Sequence, residues 1–281
     1  MNLCEPKIFV KAFADPAVRF KRLLLGRLRV RRTQLYCVGI AKSGTSSIGG
    51  MFSRNVRAAH EPQVLPLIDK FFDWAGGRVS EQEMSEWLRT RDREMALEVD
   101  SSWVNILILG FLLREFPGAR FVLTIRDCYS WLNSTLNHAE RFRNVSPRQR
   151  VRAREFVFNR GGFIHAPEER ILREKGFYTL DGYYSGWAAH NEQVLAKVPR
   201  ERLLVVRTDQ IRQRAHEVAD FAGLPREAIR LECTHAFQNP AKQQIIQQID
   251  RDFLERKVEQ HCRPLMAKYF PEIKSLDDAK L

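Results

Sequence analysis

The chain has 281 residues, 46 basic against 34 acidic side chains, a net charge of +12 and 44% hydrophobic residues, which suits one large α/β domain or two small ones with ample core. Its longest apolar run, Ile106–Leu113, falls short of the roughly 18 residues of a membrane span, and no apolar leader with a small-residue cleavage site opens the sequence. Cys4, Cys37, Cys128, Cys233 and Cys262 are odd in number and form no C-x-x-C pair, which argues against a disulfide scaffold or a zinc ribbon and favours a reducing, cytoplasmic setting.

Residues 19–32 carry seven basic side chains and no acid, interleaved with Leu23, Leu24, Leu25, Leu28 and Val30. Such an amphipathic basic segment docks on the chain's own core or makes a peripheral membrane contact. Five β-rich runs follow: Leu35–Ile40, Val56–Ala59, Met95–Val99, Phe121–Ile125 and Leu203–Val206. Continuous apolar runs suit strands of a parallel sheet buried on both faces. Helices are expected over Ser101–Phe116, with a Ser cap and a Pro117-Gly118 stop, and over Leu180–Val198, Gln210–Ala222 and Gln247–Tyr269. The alternation predicts a three-layer α/β fold around a central parallel sheet, a single domain over 1–281 with a basic segment at 1–33.

Residues 138–180 break this alternation and read as a lid or substrate insertion. Within them and just around them, residues 141–160 hold seven arginines against Glu155 alone, a local charge of +6. With the +7 of residues 19–32, the remainder of the chain is left at −1, so the basicity is local. It points to an anionic partner or to solvated helix faces. Arg148, Arg150, Arg152 and Arg154 are spaced by two, which spreads them over several faces of a helix.

The sharpest motif runs from Tyr36 through Gly39, Lys42, Ser43, Gly44, Thr45, Ser46 and Ser47 to Ile48. A strand enters a small glycine-containing turn and then a helix. Backbone N–H groups at such a turn converge on an anion, and hydroxyls add donors. The spacing nearly fits G-x-x-x-x-G-K-[ST], with Gly39 and Gly44 in place, but Thr45 stands at the lysine position and the lysine comes earlier, at Lys42. That makes a poor triphosphatase loop and a good cradle for one terminal 5′-phosphate. The run Phe121–Ile125 ends in Arg126, and Ser134 lies eight residues on, a little over two helical turns. An arginine and a hydroxyl so placed can share one phosphate.

Together these residues resemble the 3′-phosphoadenosine 5′-phosphosulfate-dependent sulfotransferases, a P-loop-like fold. Lys42-Ser43-Gly44-Thr45-Ser46 is similar to the family's 5′-phosphosulfate loop. Arg126…Ser134 is similar to its 3′-phosphate motif R-x-P-x₅-S, with Cys128 in place of the proline. Leu203–Ile211 with Asp220–Pro225, and His261–Pro271, resemble the late strand and C-terminal helix. The resemblance implies in-line sulfuryl transfer without an essential metal, with Lys42 on the leaving group, and a late basic contact to the 3′-phosphate at Lys242. Tyr183, Tyr184 and Trp187 either clamp adenine or pack in the core.

For the base, His60-Glu61 follows the second strand run, and the order Arg57–Pro66 is similar to the branch of the family with a glutamate base. A partly buried Glu61 with a raised pKa is the first choice, and His60 the next. Glu61 as a strand cap paired to an arginine is the alternative. Asp100 positions the acceptor or Lys42, or caps the next helix; His138 faces the acceptor or lies on the surface. The acceptor is a small molecule, lipid, saccharide or peptide, not nucleic acid. Two rival functions stay open: a phosphoryl-transfer enzyme such as a nucleotide kinase, for which Asp127 is the obvious acidic strand end, and a non-enzymatic basic scaffold.

Overall fold

A computed structural model describes residues 30–52, 55–142, 145–234 and 244–281. The described residues group into two compact units, one within 1–124 and 194–237 and the other within 125–193 and 238–281.

The first unit is built on five strands: β1 (Leu35–Cys37), β2 (Ala58–His60), β3 (Val99–Ser101), β4 (Arg120–Ile125) and β5 (Leu203–Arg207). Their order is β2-β3-β1-β4-β5, and the pairs β1–β3, β1–β4 and β2–β3 run parallel. Leu35 stands opposite Val99 on one side and Arg120 on the other. The chain leaves β1 towards one half of the sheet and returns to the other half at β4. Ligands gather at such a switch point, beyond the carboxyl ends of the strands.

In chain order the helices are α1 (Thr45–Gly50), α2 (Val64–Ala75), α3 (Glu81–Met95), α4 (Leu109–Glu115), α5 (Cys128–Arg141), α6 (Arg148–Phe158), α7 (Arg170–Glu174), α8 (Leu180–Lys197), α9 (Ala215–Ala222), α10 (Arg251–His261) and α11 (Arg263–Tyr269). Alternation along the strands divides the core. Leu35, Cys37, Val99, Val122 and Val206 cluster with Ile48 of α1, Met51 just past its end, and Ala215, Val218 and Ala222 of α9. The intervening residues face the other way. Tyr36 stacks on Phe121 with ring centres 5.7 Å apart, and Asp100 meets Arg91 of α3. Both faces are therefore covered, which is why the strands read as continuous apolar runs.

Several boundaries move from their expected places. Met95 belongs to α3, where Met84, Leu88 and Met95 recur on the buried face, so the strand begins only at Val99. The helix expected from Ser101 begins as a 3₁₀ stretch, Trp103–Ile108, and turns α-helical at Leu109. Its expected cap is absent because the Ser101 hydroxyl donates elsewhere, and Asn105 Nδ2 turns back to the carbonyls of Cys37 and Asp100. The helix expected over 210–222 starts at Ala215, after a 3₁₀ turn at Thr208–Gln210. The long helix expected over 247–269 is split at Cys262, where Pro264 opens α11.

The second unit is helical. The Arg-rich insertion forms α6, and its buried side is small and aromatic. Phe158 contacts Trp131, Tyr178 and Tyr183 at ring-centre distances of 5.2–6.0 Å. A Cβ at Gly182 of α8 would lie 2.3 Å from the Phe158 carbonyl oxygen, and one at Gly186 would lie 3.0 Å from that of Val157. Glycine at these two positions lets the end of α6 press against α8, so this end is anchored. Asp181 of α8 is held by Lys257 and His261 of α10, each at 2.7 Å.

Most of the 19–32 segment lies outside the described residues. Arg31 and Arg32 are described, and both charges are engaged by the chain's own acids: Arg31 with Asp92 and Arg32 with Glu98, each at 2.7 Å. No described helix is long and apolar enough to cross a membrane.

Candidate functional site

The turn after β1 is built around three enforced conformations. Gly39 has no room for a side chain: a Cβ there would lie 1.9 Å from Thr124 Oγ1 and 2.5 Å from Ser43 Oγ. Lys42 and Gly44 both adopt positive φ, 71° and 105°. Ser43, fully buried, donates from Oγ to the Ile40 carbonyl at 2.7 Å and sits 2.9 Å from Thr124 Oγ1. Its hydroxyl therefore staples the turn from inside, and its amide closes on the same carbonyl. Thr208 donates its hydroxyl to the Ser43 carbonyl, so the end of β5 braces the loop.

The helical ladder of α1 begins with the amides of Ser47 and Ile48, both donating to the Gly44 carbonyl. The amides of Gly44, Thr45 and Ser46 precede it, as the opening amides of any helix do. Of the three hydroxyl residues that open α1, Thr45 and Ser47 are buried and Ser46 is half-exposed. A left-handed turn followed by amides without a ladder is a backbone concavity suited to an anion.

Ser101, at the end of β3, joins this loop to the second strand. Its Oγ donates to the Thr45 carbonyl at 2.6 Å, and its own carbonyl accepts from the Glu61 amide at 2.8 Å. His60 Nδ1 lies 3.1 Å from the same carbonyl oxygen, and His60 Nε2 lies 3.9 Å from Glu61 Oε1. Glu61 and Gln63 both take positive φ, near 50°, so the corner turns sharply. Lys42, His60 and Glu61 thus belong to one unit, at the same end of the sheet.

Asp100, next to Ser101 in β3, is buried. Its carboxylate pairs with Arg91 at 3.0 Å, and both side chains are 5% exposed. Arg91 also donates to the Pro62 carbonyl at 2.8 Å. The buried pair therefore fastens α3 to the backbone of the Glu61 corner. Removing one member of such a pair strands a buried charge and costs about 3–5 kcal/mol.

The second group of residues lies in the other unit. Asp127 caps α5, with its two oxygens accepting from the amide and the hydroxyl of Ser130. Arg126 donates from Nε to Ser130 Oγ at 2.9 Å, and its carbonyl accepts from Trp187 Nε1 at 3.2 Å. Ser130 and Ser134 are four residues apart on α5 and share a face. Ser130 thereby turns the Arg126 guanidinium along the face that carries half-exposed Ser134. Tyr183, Tyr184 and Trp187 are buried, and Trp187 serves to pin Arg126. His138, in the last turn of α5, packs its ring 4.7 Å from Phe142. Lys242 lies outside the described residues.

Sequence reasoning did not find Ser101, Arg91, Ser130 or Thr208. Each acts through a partner distant in sequence or through a hydroxyl inside a short turn. Only the Asp127–Ser130 pair carried a local signal, the D-x-x-S spacing of a helix cap. No group of three His, Cys, Asp or Glu residues suited to a metal occurs among the described residues.

Comparisons with known proteins bear on this arrangement. Residues 34–210 match the model of a sulfotransferase domain. No curated protein matches. Among solved structures, a sulfotransferase from Alicyclobacillus acidocaldarius superposes with a TM-score of 0.50 at 17% identity, covering 85% of this chain and 96% of that one. At that identity the likeness speaks for the fold.

Proposed function

This chain belongs to the sulfotransferase-domain family and is a sulfotransferase, and we propose that it moves a sulfuryl group from 3′-phosphoadenosine 5′-phosphosulfate to an acceptor hydroxyl or amine. The observation that carries this is the loop after β1, whose positive-φ residues Lys42 and Gly44 open an amide-lined turn at the residues that resemble the family's 5′-phosphosulfate motif. In this reading the amides of Gly44–Ser46 hold the 5′-phosphosulfate, and Arg126 with Ser134 takes the 3′-phosphate. Ser43 contributes by shaping the loop, and Lys242 adds a basic contact.

The bound donor supplies an activated sulfuryl group. Glu61, with His60 beside it, takes the proton of the acceptor, and Lys42 faces the charge that grows on the phosphate oxygen as the S–O bond breaks. In this reading the chain is a single sulfotransferase domain, of which residues 34–210 match the family. The described cysteines form no disulfide, which supports a cytoplasmic setting.

A phosphoryl-transfer reading is less well supported. The acidic residue it would use, Asp127, has both oxygens committed to capping α5. Labelled donor incubated with small alcohols and amines, saccharides, lipids and peptides tests the proposal. Label should appear on at least one acceptor class. Transfer of phosphate from ATP with Mg²⁺, and none of sulfate, would overturn it.

A further inference from the structure

Apart from Val30, every large hydrophobic side chain exposed among the described residues falls within residues 142–164: Phe142, Val145, Val151, Phe163 and Ile164. Val145 is 70% exposed and Ile164 is 90% exposed. Exposed aliphatic and aromatic residues scattered singly need no explanation, but five within residues 142–164 set this stretch apart from the rest of the described surface.

The same stretch is the most basic part of the described chain. Along α6 the exposed positions are Arg148, Val151, Arg152 and Glu155, which recur at helical spacing on one stripe, while Ala153 and Phe158 turn inward. Val151 thus sits between two arginines on the outward face. Val145 precedes the helix, and Phe163 and Ile164 follow the turn that Gly162 makes at its end with a φ of 58°. The single acid is engaged: Glu155 accepts from Tyr178 Oη and from Asn159 Nδ2, each at 3.0 Å.

We infer that this face of the insertion docks on an anionic lipid surface. Arginines meet phosphate headgroups while Val145, Val151, Phe163 and Ile164 enter the boundary beneath them, the mixed chemistry of an interfacial helix. A nucleic acid would use the arginines but offers nothing to exposed aliphatic side chains. A second copy of this stretch, +6 over residues 141–160, would set like charge against like charge, since a two-fold interface pairs a patch with itself. The packing of α6 on α8 fits this role, because an anchored helix presents its outer stripe at no further ordering cost. The inference is independent of the sulfotransfer chemistry and uses none of the residues assigned to it.

The test is flotation of the full chain with vesicles of phosphatidylcholine alone and of phosphatidylcholine mixed with phosphatidylglycerol. The unaltered protein should float with the anionic vesicles and stay largely behind with the neutral ones. Val151→Asp with Ile164→Asp should reduce flotation about tenfold or more. Arg148→Glu with Arg152→Glu should do the same, since each basic side chain near an anionic surface is worth about fivefold in partitioning. All four positions are exposed, and circular dichroism checks that both variants fold. Equal flotation with neutral and anionic vesicles, or variants that float like the unaltered protein, would overturn the inference. So would binding to soluble polyphosphate that matches the vesicles and survives Val151→Asp with Ile164→Asp, which would make the face a polyanion site.

Discussion

The Ser101 hydroxyl holds the Thr45 carbonyl at 2.6 Å while the Ser101 carbonyl holds the Glu61 amide at 2.8 Å, so one residue at the end of β3 couples the loop after β1 to the corner that carries the proposed base. Ser101→Ala removes the first contact, while the Thr45 carbonyl keeps its place in the α1 ladder. We expect a stability loss of about 0.5–1.5 kcal/mol together with weaker donor binding. Calorimetric binding of 3′,5′-adenosine bisphosphate to the variant checks this. Unchanged affinity would mean that the loop holds its shape without Ser101.

Gly39 admits no larger residue. A Cβ at this position overlaps Thr124 Oγ1 and crowds the Thr124 carbonyl oxygen at 2.7 Å. Gly39→Ala should destabilise the protein by about 1–3 kcal/mol, the usual cost of overpacking, and should abolish donor binding in the protein that still folds. Combining it with Thr124→Ser, which keeps the Oγ1 atom, should rescue little.

Lys42→Ala and Glu61→Gln are expected to fail differently. Loss of Lys42 should weaken donor binding and slow turnover. Glu61→Gln should keep donor affinity and lose about 10²–10⁴ in rate. Single-turnover kinetics at saturating donor separates the two. Full activity in Glu61→Gln would pass the base to His60.

Glu98 gives the fold an acid limit. Burial pushes its carboxyl up, but hydrogen bonds from the Arg32 side chain and the Arg57 amide, with the charges of both arginines, hold it below its ordinary value. A carboxyl depressed in the folded state adds stability above its unfolded pKa of about 4.3, and that stability drains away as pH falls through the folded value. Melting temperature should therefore drop below about pH 4 more steeply in the unaltered protein than in Glu98→Gln. At neutral pH the variant should already be less stable, by about 1.5–3 kcal/mol. Parallel melting curves for the two proteins across that range would remove Glu98 from this role.

The sheet was legible because both its faces are covered, which leaves strands as unbroken apolar runs. The turn after β1, with Gly44 at positive φ, was legible because its glycines and hydroxyls lie close together in sequence. The start of β3 was misread since Met95 serves the buried face of α3, and a short apolar run fits either element. The burial of Asp100 against its partner, at a strand end, carried no local signal. Its partner Arg91 sits on the face of a helix whose charged sequence, Glu81–Met95, gives no hint which arginine turns inward. Ser130 was hidden in the same way: its hydroxyl links Arg126 and Asp127 only once α5 has formed.

The most direct measurement is a thermal-shift panel of 3′,5′-adenosine bisphosphate, 5′-AMP and ATP with Mg²⁺, on the unaltered protein and on Arg126→Ala. At 100 times its dissociation constant the bisphosphate should add about 2.7 kcal/mol of stability and exceed 5′-AMP. Arg126→Ala should erase about 1.5–3 kcal/mol of that preference and leave 5′-AMP unaffected. Equal shifts from the bisphosphate and 5′-AMP, or a response to ATP with Mg²⁺ alone, would contradict a 3′-phosphoadenosine donor.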